Sequence, residues 1–159
     1  MATRVPYAET ILTQVVPGPP GDVRDFYRDL SQLSRVHPLI VRVDRLPDTD
    51  EGGVSSSNYR VTDRMPFGLF SYRITYRVQS RLTDDGNLVV DVYQFPRIHV
   101  HNEVSFADHD SGTLLTERLR LAAPWGLLTI VRRLGVGAHV TMLDNLRRRF
   151  AMVSPGAPR

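Results

Sequence analysis

The chain is 159 residues long, 42% hydrophobic and 23% charged, which fits a single globular domain large enough to bury its own core. It has no cysteine, so disulfides, thiolate metal sites and cysteine nucleophiles are excluded, and all 20 basic side chains are arginine. Charge is uneven: residues 1–117 hold 12 Arg against 16 Asp and Glu, whereas residues 118–159 hold 8 Arg against Asp144 alone.

In chain order, YAETILTQVV (7–16) reads as a first strand, ended by the turn-rich PGPPG of 17–21. Asp22 is placed to cap a short helix. Val23, Phe26, Tyr27 and Leu30 follow at i, i+3, i+4 and i+7, which puts them on one face. A second short helix, Ser31 to Val36, must stop near His37 because Pro38 disfavours helical geometry before it. Residues 39–46 are β-rich, PDTDEGG (47–53) reads as a turn, and 54–62 form a weaker strand with Tyr59 and Val61 on one face. The clearest period-two signal is at 69–80. There Phe70, Tyr72, Ile74, Tyr76 and Val78 alternate with Ser71, Arg73, Thr75, Arg77 and Gln79. TDDGN (83–87) carries Asp-Gly turn chemistry, and strands are expected at 88–95, 98–107 and 113–121.

From Pro124 the period becomes helical, with Leu128, Val131, Met142, Leu143, Leu146 and Phe150 on one face. Gly135 and Gly137 predict a bend or break in this helix. The tail SPGAPR (154–159) is expected to be disordered. The fold class is therefore α+β: one domain over 1–153, a curved antiparallel sheet of about seven strands around a long C-terminal helix. Such a sheet curls, and a concave space between sheet and helix suits a small ligand.

Three segments carry a resemblance: VPGPPGDVRDFYRDLSQLSRVHPLI (16–40), FPRIHVHNEVSF (95–106) and GTLLTERLRLAAPWGLL (112–128), followed by the Arg-rich helix ending DNLRRRF. In this order they resemble the helix-grip superfamily, also called START-like or SRPBCC, which includes polyketide cyclase/dehydrase and lipid-transport families. The resemblance covers nearly the whole chain. It implies a pocket for an apolar ligand, and it implies no particular reaction. One branch carries Trp, His and His at alternate positions of the sixth strand, where this sequence has Val100, Asn102 and Val104; of these only Asn102 retains a polar group.

The candidate ligand contacts are Tyr59, Tyr72, Ile74, Tyr76, Val100, Asn102, Val104, Leu119, His139, Met142 and Leu143. Glu117 shares a strand face with Leu115, Leu119 and Leu121; a carboxylate there serves either as an acid or base, or as one half of an ion pair with a neighbouring arginine. His139, on the inward face of the last helix, is the best single candidate for proton transfer. His99, His101 and Glu103 alternate on one strand face. The spacing can chelate zinc or iron, but a solvent-facing polar face is the plainer reading, so no metal or cofactor is assigned. Trp125, at the strand-to-helix corner, is read as an anchor.

Three functions follow. The first is binding of a hydrophobic small molecule such as a lipid or polyketide. The second is a cyclase or dehydratase using His139 or Glu117, with a tyrosine or Asn102 stabilising the enolate. The third is docking to a membrane or partner through the Arg-rich C-terminal helix, which carries Arg132, Arg133 and Arg147–Arg149. Nucleic acid is not expected, since no stacking motif accompanies the arginines. No apolar run approaches the roughly 20 residues that cross a bilayer, and MATRVPYAET lacks the apolar stretch of a signal peptide, so a cytoplasmic protein is expected; that it is bacterial is what the resemblance implies.

Overall fold

A computed structural model describes residues 5–153; the predicted disordered tail lies outside them. In chain order the elements are β1 (Tyr7–Val16), α1 (Pro20–Arg28), α2 (Leu30–Leu33), β2 (Ile40–Glu51), β3 (Val54–Phe67), β4 (Phe70–Leu82), β5 (Leu88–Gln94), β6 (Ile98–His109), β7 (Gly112–Ala122) and α3 (Leu128–Val153). All strands are antiparallel and form one sheet, ordered β1-β7-β6-β5-β4-β3-β2. This is the helix-grip arrangement. Among the described residues, no helix is long and apolar enough to cross a membrane.

The strand faces follow the sequence alternation. On β7, Leu115, Glu117, Leu119 and Leu121 are all buried, and the intervening arginines are exposed. On β6, Asn102 and Val104 point inward and Glu103 outward. The main core joins Leu115 and Val104 of the sheet to Phe26 and Tyr27 of α1 and to Met142, Leu143 and Leu146 of α3. A smaller core lies at the β2–β4 end, around Leu30, Tyr59, Val61 and Val78.

Four expectations are corrected. Asp22 lies inside the first turn of α1, whose cap position is Pro19, with Pro20 opening the helix. The segment 47–53 is mostly strand. β2 runs to Glu51, with a register shift between Leu46 and Thr49 that absorbs Pro47 on an edge strand, where a missing N–H costs little. β3 likewise continues past residue 62 to Phe67. Finally, α3 is a single 26-residue helix with no break at Gly135 or Gly137. Gly135 has a packing reason: a Cβ there would stand 3.0 Å from Leu121 Cδ2, so its lack of a side chain lets the helix lie close on the sheet.

The β6–β7 turn is locked against the exit of β1. Gly112 has φ +133°, and a Cβ on it would fall 2.2 Å from the Val16 carbonyl oxygen. The neighbouring Thr113 hydroxyl donates to the Gly18 carbonyl (2.7 Å). Gly53, at φ +82°, meets nothing within 4 Å. Gly53→Ala should therefore cost about 1 kcal/mol, the dihedral strain alone. Gly112→Ala adds a backbone clash and should cost on the order of 3 kcal/mol or more. Urea midpoints of the two variants measure the difference, and equal midpoints would refute the close approach.

Candidate functional site

A cavity of about 360 Å³ lies between the concave sheet face and the N-terminal half of α3. Its walls are mainly apolar: Leu39, Met65, Ile74, Val92, Ile98, Val100 and Leu121 from the sheet side, and Leu127, Ile130, Val131, Leu134 and Ala138 from α3 and its approach. Polar groups enter as His37, Asp63, Tyr72, Tyr76, Gln94 and His139.

Behind the cavity wall runs a buried polar chain drawn from four elements. Asn102 Nδ2 on β6 donates to the Tyr27 hydroxyl on α1 (3.2 Å). Tyr27 donates in turn to Glu117 Oε1 on β7. The second carboxylate oxygen, Oε2, accepts from His139 Nδ1 on α3 (2.9 Å). Glu117 has no exposed surface, while the His139 side chain keeps 22% of its own and lines the cavity. The pairing of Nδ1 leaves Nε2 of His139 available to an occupant of the cavity.

Electrostatics fix the protonation of this chain. Burial raises Tyr27 well above its usual range, and the Glu117 charge and hydrogen bond raise it further, so Tyr27 stays a donor. For His139, burial disfavours the charge, but the Glu117 charge and hydrogen bond, helped by Asp63, outweigh it and raise its pKa above 6.5. His37 goes the other way. Burial, with the nearby His139 charge, lowers it to about 3. Its Nδ1 accepts the Leu39 N–H (3.2 Å), which places its proton on Nε2. The His37 and His139 rings meet edge to face, centroids 6.1 Å apart. Asp63 is buried on the inner face of β3; desolvation raises it to about 6, against the Tyr76 hydrogen bond (2.9 Å) and the His139 charge. Tyr76, half-buried and beside Asp63, is raised well above its usual range by desolvation and the Asp63 charge and hydrogen bond, and stays protonated. The cavity thus has a neutral N–H donor, an imidazole that can take or give a proton, and a carboxyl that titrates near neutrality.

Of the residues expected from sequence, Tyr72, Ile74, Tyr76, Val100 and His139 line the cavity. Glu117 and Asn102 lie one layer behind, joined through Tyr27. Val104, Met142 and Leu143 pack in the main core, Tyr59 packs in the smaller one, and Leu119 is buried in β7. Glu117 pairs with His139 and Tyr27 where an arginine was the expected partner. Trp125 is 79% exposed and anchors nothing. Sequence reasoning missed Asp63, His37 and Tyr27 as polar site groups. Asp63 was legible: it continues the Tyr59, Val61, Met65 alternation, but the strand had been ended at 62. Tyr27 read only as an apolar helix position, and nothing local distinguishes His37.

The outer sheet face carries a separate cluster. His99 Nε2 and His101 Nδ1 each lie 2.8 Å from Asp91 Oδ1, and His101 Nε2 lies 3.3 Å from Glu103 Oε1. It is the only group of three described residues with metal-ligand spacing.

No family model and no curated protein matches the sequence. Solved structures do. The Zhui aromatase/cyclase from a Streptomyces species superimposes with TM-score 0.64 at 17% identity, over 92% of this chain and 96% of that one. The di-domain aromatase/cyclase StfQ of the steffimycin biosynthetic pathway gives TM-score 0.70 at 13% identity over 92% of this chain, which spans 52% of that protein. A STAR-related lipid transfer protein from Xanthomonas axonopodis gives TM-score 0.58 at 15% identity, over 90% of this chain and 85% of that fragment. At these identities the likeness establishes a shared helix-grip fold.

The pairing of His139 with Glu117 sets a pH dependence. Because the folded pKa of His139 lies above 6.5, the pair's stabilisation is complete below about pH 6.5 and is lost as pH rises through the folded value. Glu117→Gln removes the charge and leaves the desolvation. In that variant the His139 ring proton, followed by NMR, should titrate below 6.5 instead of above it. An unchanged midpoint would show that the pair does not hold the imidazolium.

Proposed function

We propose that the protein binds a hydrophobic small molecule bearing one carbonyl or hydroxyl group. The observation that carries this reading is the cavity itself: about 360 Å³, apolar along its length, with His37, Asp63, Tyr76 and His139 among its few polar groups. Ligand sites of this kind are commonly about 300–1,000 Å³ and gain affinity from apolar burial, at about 25 cal/mol per Å², while polar groups set orientation. Here Nε2–H of His37 donates to a ligand oxygen, and Asp63 with Tyr76 offers a second hydrogen-bonding station. The shared fold with aromatase/cyclases and a lipid transfer protein supports the ligand class, a lipid or polyketide-like molecule.

The second reading is acid–base chemistry on that molecule, favoured by the buried Glu117–His139 pair. With Nδ1 held by Glu117, neutral Nε2 of His139 removes a proton next to a carbonyl. The electron pair moves onto the oxygen, where the Nε2–H of His37 stabilises the enolate, and protonated His139 returns the proton. Glu117 is fully buried and orients the base. Asn102 is committed to Tyr27 behind the cavity wall, so its expected role at the enolate passes to His37.

Native mass spectrometry after purification, with organic extraction, identifies any retained ligand, and an apolar naphthylamine probe reports the cavity by fluorescence. Val100→Phe fills the cavity and should weaken the probe at least about tenfold, equivalent to about 1.4 kcal/mol; unchanged affinity would reject the cavity as the site. For the second reading, α-proton exchange of a small aryl ketone in D2O is followed by NMR. His139→Gln should lower that rate by about 10²-fold or more while probe affinity stays within about threefold. A wild-type rate equal to buffer would leave binding as the whole function.

A further inference from the structure

We propose that the open end of the sheet, around the cavity mouth, docks on an anionic lipid bilayer; this rests on the reading of the cavity as a site for a hydrophobic ligand. The strand registers bring three connections to this end. β7 finishes at Ala122 opposite Tyr7 at the start of β1, and β6 enters beside it, His99 against Ala122. The β3–β4 hairpin turns here between Phe67 and Phe70, and it overhangs β5, whose pairing with β4 begins only at Arg77 with Tyr93. The tips of these connections are apolar and bare: Leu69 is 99% exposed, Phe95 90%, Trp125 79%, Phe70 78% and Phe67 71%. Among the described residues, only Met152 and Val153 at the far end of α3 are comparably exposed; every other large apolar side chain is at most 62% exposed. A soluble surface has no use for five such side chains at one end.

Charge selects the occupant. Arg64, Arg73, Arg97, Arg132 and Arg133 are exposed on the same connections and flanking turns, none forms an ion pair among the described residues, and residues 64–73, 94–98 and 123–134 contain no Asp or Glu. A symmetric dimer through this end would set like charges against like. An anionic bilayer accepts both features: aromatic and leucine tips enter the interface, and arginines meet headgroups. Of the helix arginines expected to do this, Arg132 and Arg133 stand at this end and Arg147–Arg149 at the other end of α3. There Arg147 and Arg148 pair with Asp144, and Arg149 covers the Phe26 ring.

The test is cosedimentation of the whole protein with vesicles of phosphatidylcholine alone or with about one third phosphatidylserine. Binding should require phosphatidylserine, fall as salt rises, and weaken at least about tenfold in Leu69→Asp with Trp125→Asp, and again in Arg132→Glu with Arg133→Glu. Naphthylamine binding without vesicles should be unchanged in both variants. Lost vesicle binding with intact probe binding in the wild type would sink the docking proposal alone; lost probe binding would sink the cavity reading. Equal binding to neutral vesicles, or a dimer that Leu69→Asp dissociates, would also overturn it.

Independently, the geometry points to a divalent transition-metal site on the outer sheet face at Asp91, His99 and His101. Asp91 and His101 are direct cross-strand neighbours, and His99 is one alternation away on the same strand. Their ligand atoms all lie within 4.8 Å of one another. Tyr93 stacks on His99 (4.8 Å between centroids, 6° between planes) and holds its ring. Glu103 lies beside the other nitrogen of His101, as outer carboxylates do behind metal-bound imidazoles. Two imidazoles and a carboxylate suit Zn²⁺, Co²⁺ or Ni²⁺, with ligand bonds of about 2.0–2.2 Å, and the solvent side leaves room for water as a fourth ligand. Titration with Co²⁺, read by visible absorption, and with Zn²⁺, by calorimetry, should show one equivalent bound. Asp91→Asn and His101→Gln should each weaken it at least about tenfold. No uptake, or uptake that survives both substitutions but not His139→Gln, would overturn the assignment.

Discussion

Glu117 is a carboxylate with no exposed surface, held in the centre of a leucine-lined strand face. Such a group destabilises a fold unless its charge is compensated, and removing one partner of a buried pair commonly costs about 3–5 kcal/mol. The compensation comes from Tyr27 on α1 and His139 on α3. The same carboxylate that must be satisfied therefore clamps α1 and the long helix to one position on the buried face of the sheet. It also sets the orientation of His139, and so the chemistry open to the cavity.

The cavity exists because the two halves of α3 do different work. Met142, Leu143 and Leu146 close against β7, β6 and α1, while the turns from Leu127 to Ala138 roof the cavity and approach the sheet closely at Gly135, against Leu121. At its polar end two imidazoles are held apart in protonation, His37 neutral and His139 inclined to be charged, with a titratable Asp63 between the charged extremes. Environments that push neighbouring groups in opposite directions are how one pocket offers both a donor and a base near neutral pH.

Polarity is also divided along the long axis of the molecule. The end that carries the cavity mouth is aromatic and basic, with arginines that form no ion pair among the described residues; the other end carries the turns at 51–54, 83–87 and 109–112, rich in Asp, Glu and Asn.

The sequence by itself determined the order of strands and helices, and with it the grip, because alternation and helical spacing are local properties of the chain; the full extents of β2 and β3 and the continuity of α3 were not among them. It also singled out Glu117 and His139, each a polar residue interrupting an apolar face. Tertiary structure decided the rest. Whether Glu117 met an arginine or Tyr27 depended on a contact between residues 90 positions apart. Whether Asn102 faced a ligand or the helix depended on one 75 positions apart. His37 gained meaning only when α3 laid His139 across it. Asp91 joined His99 and His101 through strand pairing, which the single-strand pattern of His99, His101 and Glu103 does not contain. Gly135, a helix breaker by propensity, sits within the unbroken helix where α3 approaches Leu121, a contact that only the packing of helix on sheet creates. Local spacing chooses a face, but which groups share that face is fixed by long-range pairing, where desolvation and charge select the partners.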